Sequence, residues 1–182
     1  MPGRNLFGIR RAHATSEPDV CVFISHFHRD KPKARELARF LVKLGADIYF
    51  DEDDALLQLA DESGNELRVV ACIEAGLTNC THLLGLITPN TEKSWWVPYE
   101  IGGATGRKRE CAHLIDGEVK NLPAYINAAK LLTDQKELRE WLPLSPRITI
   151  AERYLHTLTN FSGEEQLSFI PEHRAKGEIK FY

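Results

Sequence analysis

The sequence predicts an α/β protein in which helices cover both faces of a parallel sheet of about five strands. Short, nearly continuous apolar runs alternate with longer segments whose apolar residues recur at three- and four-residue steps, and such alternation is typical of a covered parallel sheet. The chain has 182 residues, of which 43% are hydrophobic and 27% are charged. That is enough for one buried core, whereas two full domains would be cramped.

Each predicted element has its own local signal. Residues 19–25 form an apolar run rich in β-branched side chains, as a strand buried on both faces requires. Asp30 stands at the N-cap of the helix that follows, and Gly45 is expected to end it. A capping-box pattern at 63–66 opens the next helix, which we expect to end near Gly76. The other predicted strands are 46–50, 82–87, 111–115 and 130–132, and the other helices run from about 94 to 106 or 108 and from 135 to 141.

Two extensions flank the predicted domain, which spans residues 19–142. The N-terminal extension, 1–18, lacks the apolar core of a secretory signal. The C-terminal extension, 143–182, begins at a proline-marked boundary, and we expect it to be partly helical, at 148–158.

The composition indicates the cellular compartment of the protein and excludes some classes of partner. The net charge of −3 and the pI near 6.2 provide no general attraction for nucleic acid. The sequence has no apolar run of the roughly 18 residues that a membrane span needs. Four cysteines without a C-x-x-C pair are typical of free thiols in a reducing compartment. We therefore expect a cytoplasmic protein that binds neither nucleic acid nor membrane.

A histidine-rich loop follows the first predicted strand. His26, His28 and Asp30 have the H-x-H-x-D spacing of zinc ligands in metallo-β-lactamase-type hydrolases, but Lys31 stands where those enzymes continue with another histidine. The sequence therefore predicts no metal site. Two interpretations stay open: a polar loop without a ligand, or a nucleotide contact, since ligands bind at the carboxyl ends of strands in open α/β sheets.

A second candidate site lies on the predicted helix near residue 94. Trp96 and Glu100 are four residues apart, which places them on one helix face with the carboxylate beside the indole. Gly102, Gly103 and Gly106 follow, and because glycine lowers helix propensity, their presence predicts close packing of this helix.

Four segments together carry a resemblance to a known family: residues 19–26, 48–51, 87–91 and 96–102. In order and spacing they resemble a TIR (Toll/interleukin-1 receptor) domain over roughly 19–142. The chain is most similar to stand-alone bacterial TIR proteins, including those of Thoeris-type antiphage defence. The resemblance implies a flavodoxin-like, three-layer fold.

The same resemblance implies an activity. In enzymatic TIR domains the glutamate of the W-x-x-x-E motif is the catalytic residue that cleaves the nicotinamide–ribose bond of NAD, which is a substrate and not a cofactor. The ADP-ribosyl group is then released by water as ADP-ribose, cyclised, or transferred to another acceptor. Glu100 would be the catalytic residue, and Asp51 would open a mobile loop, 51–62, called BB in the family. The implied substrate-binding residues are Ser25, His26, Phe27, His28, Asp51 and Trp96.

The implied partners are other TIR domains and a downstream effector that senses the nucleotide product in antiphage defence. Two alternatives remain. The protein could be a non-catalytic adaptor that only binds other TIR domains. It could also be a nucleoside deoxyribosyltransferase-like enzyme, because residues 100–108 resemble the helix that carries the catalytic glutamate of that class.

Overall fold

A parallel sheet forms the centre of the molecule, which the computed structural model describes at residues 20–49, 66–142 and 167–170. Its strands are β1 (Cys21–Ser25), β2 (Asp47–Tyr49), β3 (His82–Ile87), β4 (Glu110–Ile115) and β5 (Lys130–Leu132). Within the described ranges these five strands are parallel and lie in the order β2-β1-β3-β4-β5. This is the order of flavodoxin-like sheets, so the predicted fold class is confirmed.

Helices cover both faces of the sheet, as predicted. They are α1 (Lys31–Lys43), α2 (Glu66–Asn79), α3 (Trp96–Gly106), α4 (Ala124–Asn127) and α5 (Gln135–Trp141). Helices α1 and α5 share one hydrophobic core with the sheet, and α2, α3 and α4 share the other. Helix α4 and two 3₁₀ turns, His28–Asp30 and Thr91–Lys93, were not predicted, because such short elements show no periodic signal. Within the described ranges, no helix has both the length and the apolar character needed to cross a membrane.

Gly45 ends α1, as predicted. Its φ is 94°, and the N–H groups of Gly45 and Ala46 donate to the carbonyls of Val42 and Leu41, both at 3.0 Å. This pair of hydrogen bonds requires a residue in the left-handed conformation directly after the helix, and glycine adopts that conformation without steric conflict.

Gly76 does not end α2, and here the prediction was wrong. The helix continues to Asn79, and Gly76 is buried against the stacked rings of Phe23 and Tyr49. A Cβ on Gly76 would lie 2.6 Å from Cε1 of Tyr49 and 2.9 Å from Cε2 of Phe23. The lack of a side chain at Gly76 therefore allows α2 to approach the sheet closely, and Gly76 does not terminate the helix.

The three glycines of α3 differ in their surroundings. A Cβ on Gly103 would lie 2.8 Å from Cδ1 of Leu77, whereas Cβ atoms on Gly102 and Gly106 would have no neighbour within 4 Å. Close packing of this helix is thus confirmed at Gly103 alone.

Gly76→Ala is expected to lower the free energy of unfolding by about 1–3 kcal/mol, because both aromatic rings must shift to admit the methyl group. Gly102→Ala is the matched control: it adds the same methyl group to a helix in open space and should raise stability by up to about 1 kcal/mol. Urea denaturation of both variants measures the difference. Equal stability of the two would contradict this packing around Gly76.

Part of the C-terminal extension packs on the domain. Leu167 and Ile170 are buried in the core that α1 and α5 share with the sheet, and Gln135 donates from Nε2 to both of their carbonyls at 3.3 and 3.1 Å. Ser168 donates to the carboxylate of Glu36 through its backbone N–H and its hydroxyl. The predicted N-terminal extension and the helix predicted at 148–158 lie outside the described residues.

Candidate active site

Helix α3 places a carboxylate on its buried face. Val97, Ile101 and Ala104 follow the helical repeat and pack into the core, and Glu100 lies among them with 6% of its surface exposed. The Ser94 hydroxyl accepts a hydrogen bond from the Val97 N–H at 3.1 Å and so satisfies a donor at the start of the helix. A buried carboxylate is expensive unless it is hydrogen-bonded, so its position on this face needs a specific partner.

Ser25 provides a partner for Glu100. It is the last residue of β1 and is completely buried, and its hydroxyl donates to Oε2 of Glu100 at 2.5 Å. The contact joins the carboxyl end of a central strand to α3, which is where open α/β sheets bind ligands.

The outer side of α3 is fixed to α2. Tyr99 donates its hydroxyl to Oε1 of Glu74 at 2.6 Å, and Arg107 forms an ion pair with the same carboxylate. The hydrogen bond from Tyr99, together with the charge of Arg107, lowers the pKa of Glu74 below its ordinary value, and the same hydrogen bond raises the pKa of Tyr99. The bonds on both sides of the helix hold Glu100 toward the sheet.

Gly85 and His113 lie level with Ser25 on the next two strands of the sheet. Ser25 pairs with Gly85 on β3, and Gly85 pairs with His113 on β4. A Cβ on Gly85 would lie 2.6 Å from Nδ1 of His113, so the imidazole occupies space that the glycine leaves open. His113 is completely buried, and neither ring nitrogen has a hydrogen-bond partner among the described residues. Burial lowers its pKa to about 4, so the ring is neutral at pH 7.

The other predicted substrate-binding residues occupy different environments. His26 and Phe27 are buried directly after β1, whereas His28 is exposed with its ring centroid 4.1 Å from that of Phe27. Trp96 is 40% exposed, and its ring meets that of Tyr99 edge-on, with 6.0 Å between the ring centroids. Asp51 and the rest of the loop at 51–62 lie outside the described residues. The structure thus brings Ser25 and Glu100 together, with His26 and Phe27 next in the chain.

A sequence model of the TIR domain family matches residues 22–142, about two thirds of the chain. The chain belongs to the TIR domain family. The resemblance seen in the sequence is confirmed, and Glu100 is the glutamate of the W-x-x-x-E motif in this TIR domain.

Two curated bacterial proteins are similar to this TIR domain. One is "2' cyclic ADP-D-ribose synthase AbTIR" of Acinetobacter baumannii (strain 1295743), 26% identical over 148 residues, which are 80% of this chain and 50% of the relative. The other is "Probable 3' cyclic ADP-D-ribose synthase ThsB'" of Bacillus cereus (strain MSX-D12), 30% identical over 95 residues, which are 51% of this chain and 47% of the relative. The chain spans about half the length of these relatives.

A solved structure of the TIR domain of the Toll-related receptor TRR-2 from Hydra magnipapillata is also similar. Its TM-score is 0.48 and its sequence identity 12%, over 72% of this chain and 97% of that one.

Asp30 does not cap its helix through its side chain, although its sequence position predicted that it would. Its carboxylate makes no hydrogen bond to the start of α1, although it is the N-cap residue. Instead it accepts from the Thr88 hydroxyl at 2.6 Å and from Nδ2 of Asn90 at 2.8 Å. Within the described part of this TIR domain, no three histidine, cysteine or acidic side chains converge as metal ligands would. The H-x-H-x-D run therefore places its aspartate against a neighbouring loop.

Sequence reasoning missed four residues that support the site: Gly85, His113, Thr88 and Asn90. The only available signal for Gly85 was a glycine inside an apolar strand, which often marks the close approach of another group. The partners of Thr88 and Asn90 could not be inferred, because both bonds cross to a residue about 60 positions earlier in the chain.

Proposed function

We propose that this TIR domain cleaves the nicotinamide–ribose bond of NAD with Glu100 as its catalytic carboxylate. The hydrogen bond between Ser25 and Glu100 carries the proposal. A buried carboxylate that accepts from the Ser25 hydroxyl at the carboxyl end of the sheet is an arrangement that a stable core alone does not require. The names of two relatives as cyclic ADP-ribose synthases support NAD as the source of the ADP-ribose.

The proposed chemistry needs one negative charge near the ribose. When the bond between C1′ and the nicotinamide nitrogen breaks, its electron pair goes to the nitrogen, and the cationic pyridinium leaves as neutral nicotinamide without a proton donor. The ribose becomes an oxocarbenium-like cation, which the Glu100 carboxylate stabilises. The Ser25 hydroxyl orients that carboxylate, and the apolar neighbours on α3 exclude water from it.

The second half of the reaction decides the product. Attack on C1′ by a nucleophile of the same ADP-ribose gives a cyclic product, whereas attack by water gives free ADP-ribose. The names of the relatives favour cyclisation. We further propose that the cyclic product is a signal for a downstream effector in antiphage defence, and that copies of this domain associate through TIR–TIR contacts when they are active.

The experiment is product analysis by mass spectrometry after incubation of the purified protein with NAD at increasing protein concentration. We expect nicotinamide and a cyclic ADP-ribose, with turnover per molecule rising with concentration if assembly completes the site. Deoxynucleosides serve as the comparison substrates. Release of free base from deoxynucleosides but not from NAD would replace the proposal with the deoxyribosyltransferase alternative. If neither substrate is cleaved at any concentration, the adaptor alternative is favoured.

A further inference from the structure

We propose that Asp30 is a positioning residue that holds Glu100 against Ser25 by tying two loops together. The inference deepens the proposed function and rests on it for its kinetic part. One loop connects β1 to α1 and contains His26, Phe27 and Asp30, and the other connects β3 to α3 and contains Thr88 and Asn90. The Ser25–Glu100 hydrogen bond joins the strand before the first loop to the helix after the second.

Asp30 uses its carboxylate differently from an ordinary N-cap aspartate. An aspartate at an N-cap ordinarily accepts a hydrogen bond from the first turn of its own helix and contributes about 1 kcal/mol. Asp30 makes no such bond. Both of its oxygens are taken by donors of the other loop, the Thr88 hydroxyl and the Asn90 side-chain amide. Asp30 and Thr88 are buried, so loss of either partner leaves the other unsatisfied away from water.

Hydrogen bonds connect Thr88 to the helix that carries Glu100. The Thr88 hydroxyl accepts from the Asn90 N–H at 3.0 Å, and the Thr91 hydroxyl accepts from the Thr88 N–H at 2.9 Å. The Ser94 N–H then donates to the Thr91 carbonyl at 2.9 Å. Ser94 in turn accepts from the first turn of α3, the helix that carries Glu100. A continuous series of hydrogen bonds therefore leads from Asp30 to the start of that helix.

Asp30 is also connected to the turn that follows Ser25. The Asp30 N–H donates to the Phe27 carbonyl at 2.8 Å and closes the turn that follows β1. Phe27 is buried two residues after Ser25. Asp30 thus links the segment after Ser25 to the loop before α3, and we expect displacement of its side chain to shift Glu100 relative to Ser25.

A nearby carboxylate offers a matched control. Asp116 is buried just after β4 and forms an ion pair with Lys33 of α1. It connects α1 to β4, and its carboxylate makes no bond to the loop between β3 and α3 in the described part of the chain. Asp116→Asn should therefore reduce stability without changing the position of Glu100.

The experiment compares Asp30→Asn, Thr88→Val and Thr88→Ser with Asp116→Asn. Asp30→Asn replaces one acceptor oxygen with an amide, Thr88→Val removes the hydroxyl at nearly constant shape, and Thr88→Ser keeps the hydroxyl. We expect kcat for NAD to fall about 10- to 100-fold in the first two, because small displacements of a catalytic group have effects of this size. KM should change far less, Thr88→Ser should rescue kcat, and the double variant Asp30→Asn/Thr88→Val should be little worse than either single one.

Amide hydrogen exchange supplies a readout that needs no NAD. Protection at residues 88–97 should fall in Asp30→Asn and Thr88→Val but not in Asp116→Asn. Unchanged kcat in a folded Asp30→Asn or Thr88→Val protein, or unchanged protection, would overturn the positioning role even if the wild type cleaves NAD. If the wild type does not cleave NAD, the proposed function fails, and the exchange pattern alone decides whether Asp30 positions the helix. Should Asp30→Asn not fold, the Thr88 pair gives the same test.

Discussion

Replacing Glu100 by glutamine is expected to abolish NAD cleavage and to leave the protein folded. The exchange keeps the shape of the side chain and an oxygen that can accept from the Ser25 hydroxyl. It removes the negative charge that would stabilise the ribose cation. Loss of one electrostatic contact of this kind typically reduces kcat by roughly 100-fold or more. Nicotinamide release, measured by mass spectrometry, quantifies the loss, and circular dichroism checks the fold.

Glu110→Gln is the control for this variant. Glu110 is an exposed carboxylate at the first residue of β4, at the amino end of the sheet and therefore at the opposite edge from Glu100. The Glu110→Gln variant should therefore cleave NAD at the wild-type rate. Wild-type turnover in Glu100→Gln would remove this glutamate from the chemistry, and equal losses in both variants would point to a general effect of charge.

Acidification is expected to destabilise the protein through His113. Burial lowers its pKa from 6.5 to about 4 in the folded state, so between those values the unfolded chain binds a proton that the folded chain does not. Stability is therefore fully present above about pH 7 and is lost as the pH falls toward 4. A difference of about 2.5 pKa units corresponds to about 3 kcal/mol. Burial also lowers the pKa of His82, which adds a loss of the same sign.

His113→Leu should remove most of this dependence on pH. The leucine cannot be protonated, and it occupies the space over Gly85 that the ring fills in the wild type. The measurement is urea denaturation between pH 4 and pH 7, where the wild type should lose about 3 kcal/mol more than His113→Leu. His28→Leu, at an exposed position, retains His113 and should still lose stability on acidification. Parallel pH curves for the wild type and His113→Leu would refute the assignment.

Local sequence was sufficient for the alternation of strands and helices. Gly45 ends α1 with a positive φ, and the apolar run at Cys21–Ser25 forms a strand with both faces covered. These features depend on residues close in the chain, where propensity and periodicity act directly. The W-x-x-x-E motif is equally local, and it led to the family that the comparison confirms.

Tertiary structure decided what the individual side chains do. Glycine often ends a helix, and Gly76 was expected to do so. Inside α2 it instead packs directly against the stacked rings of Phe23 and Tyr49, where a side chain would not fit. Trp96 places its ring edge-on against Tyr99 at the surface, a contact that the sequence spacing did not predict. Propensity is a weak influence that packing overrides wherever the two disagree.

Patterns along the chain were enough to predict the fold class, the family and the position of the motif glutamate, Glu100. The contacts of this edge of the sheet come from the folded arrangement alone: Ser25 donates to that glutamate across 75 residues of chain, and Asp30 bonds a loop instead of its own helix. The physical reason is that parallel strands bring their carboxyl ends to one edge in an order different from their order in the chain. Contacts at that edge depend on which strands are neighbours, and strand order in a sheet is a property of the whole packed domain.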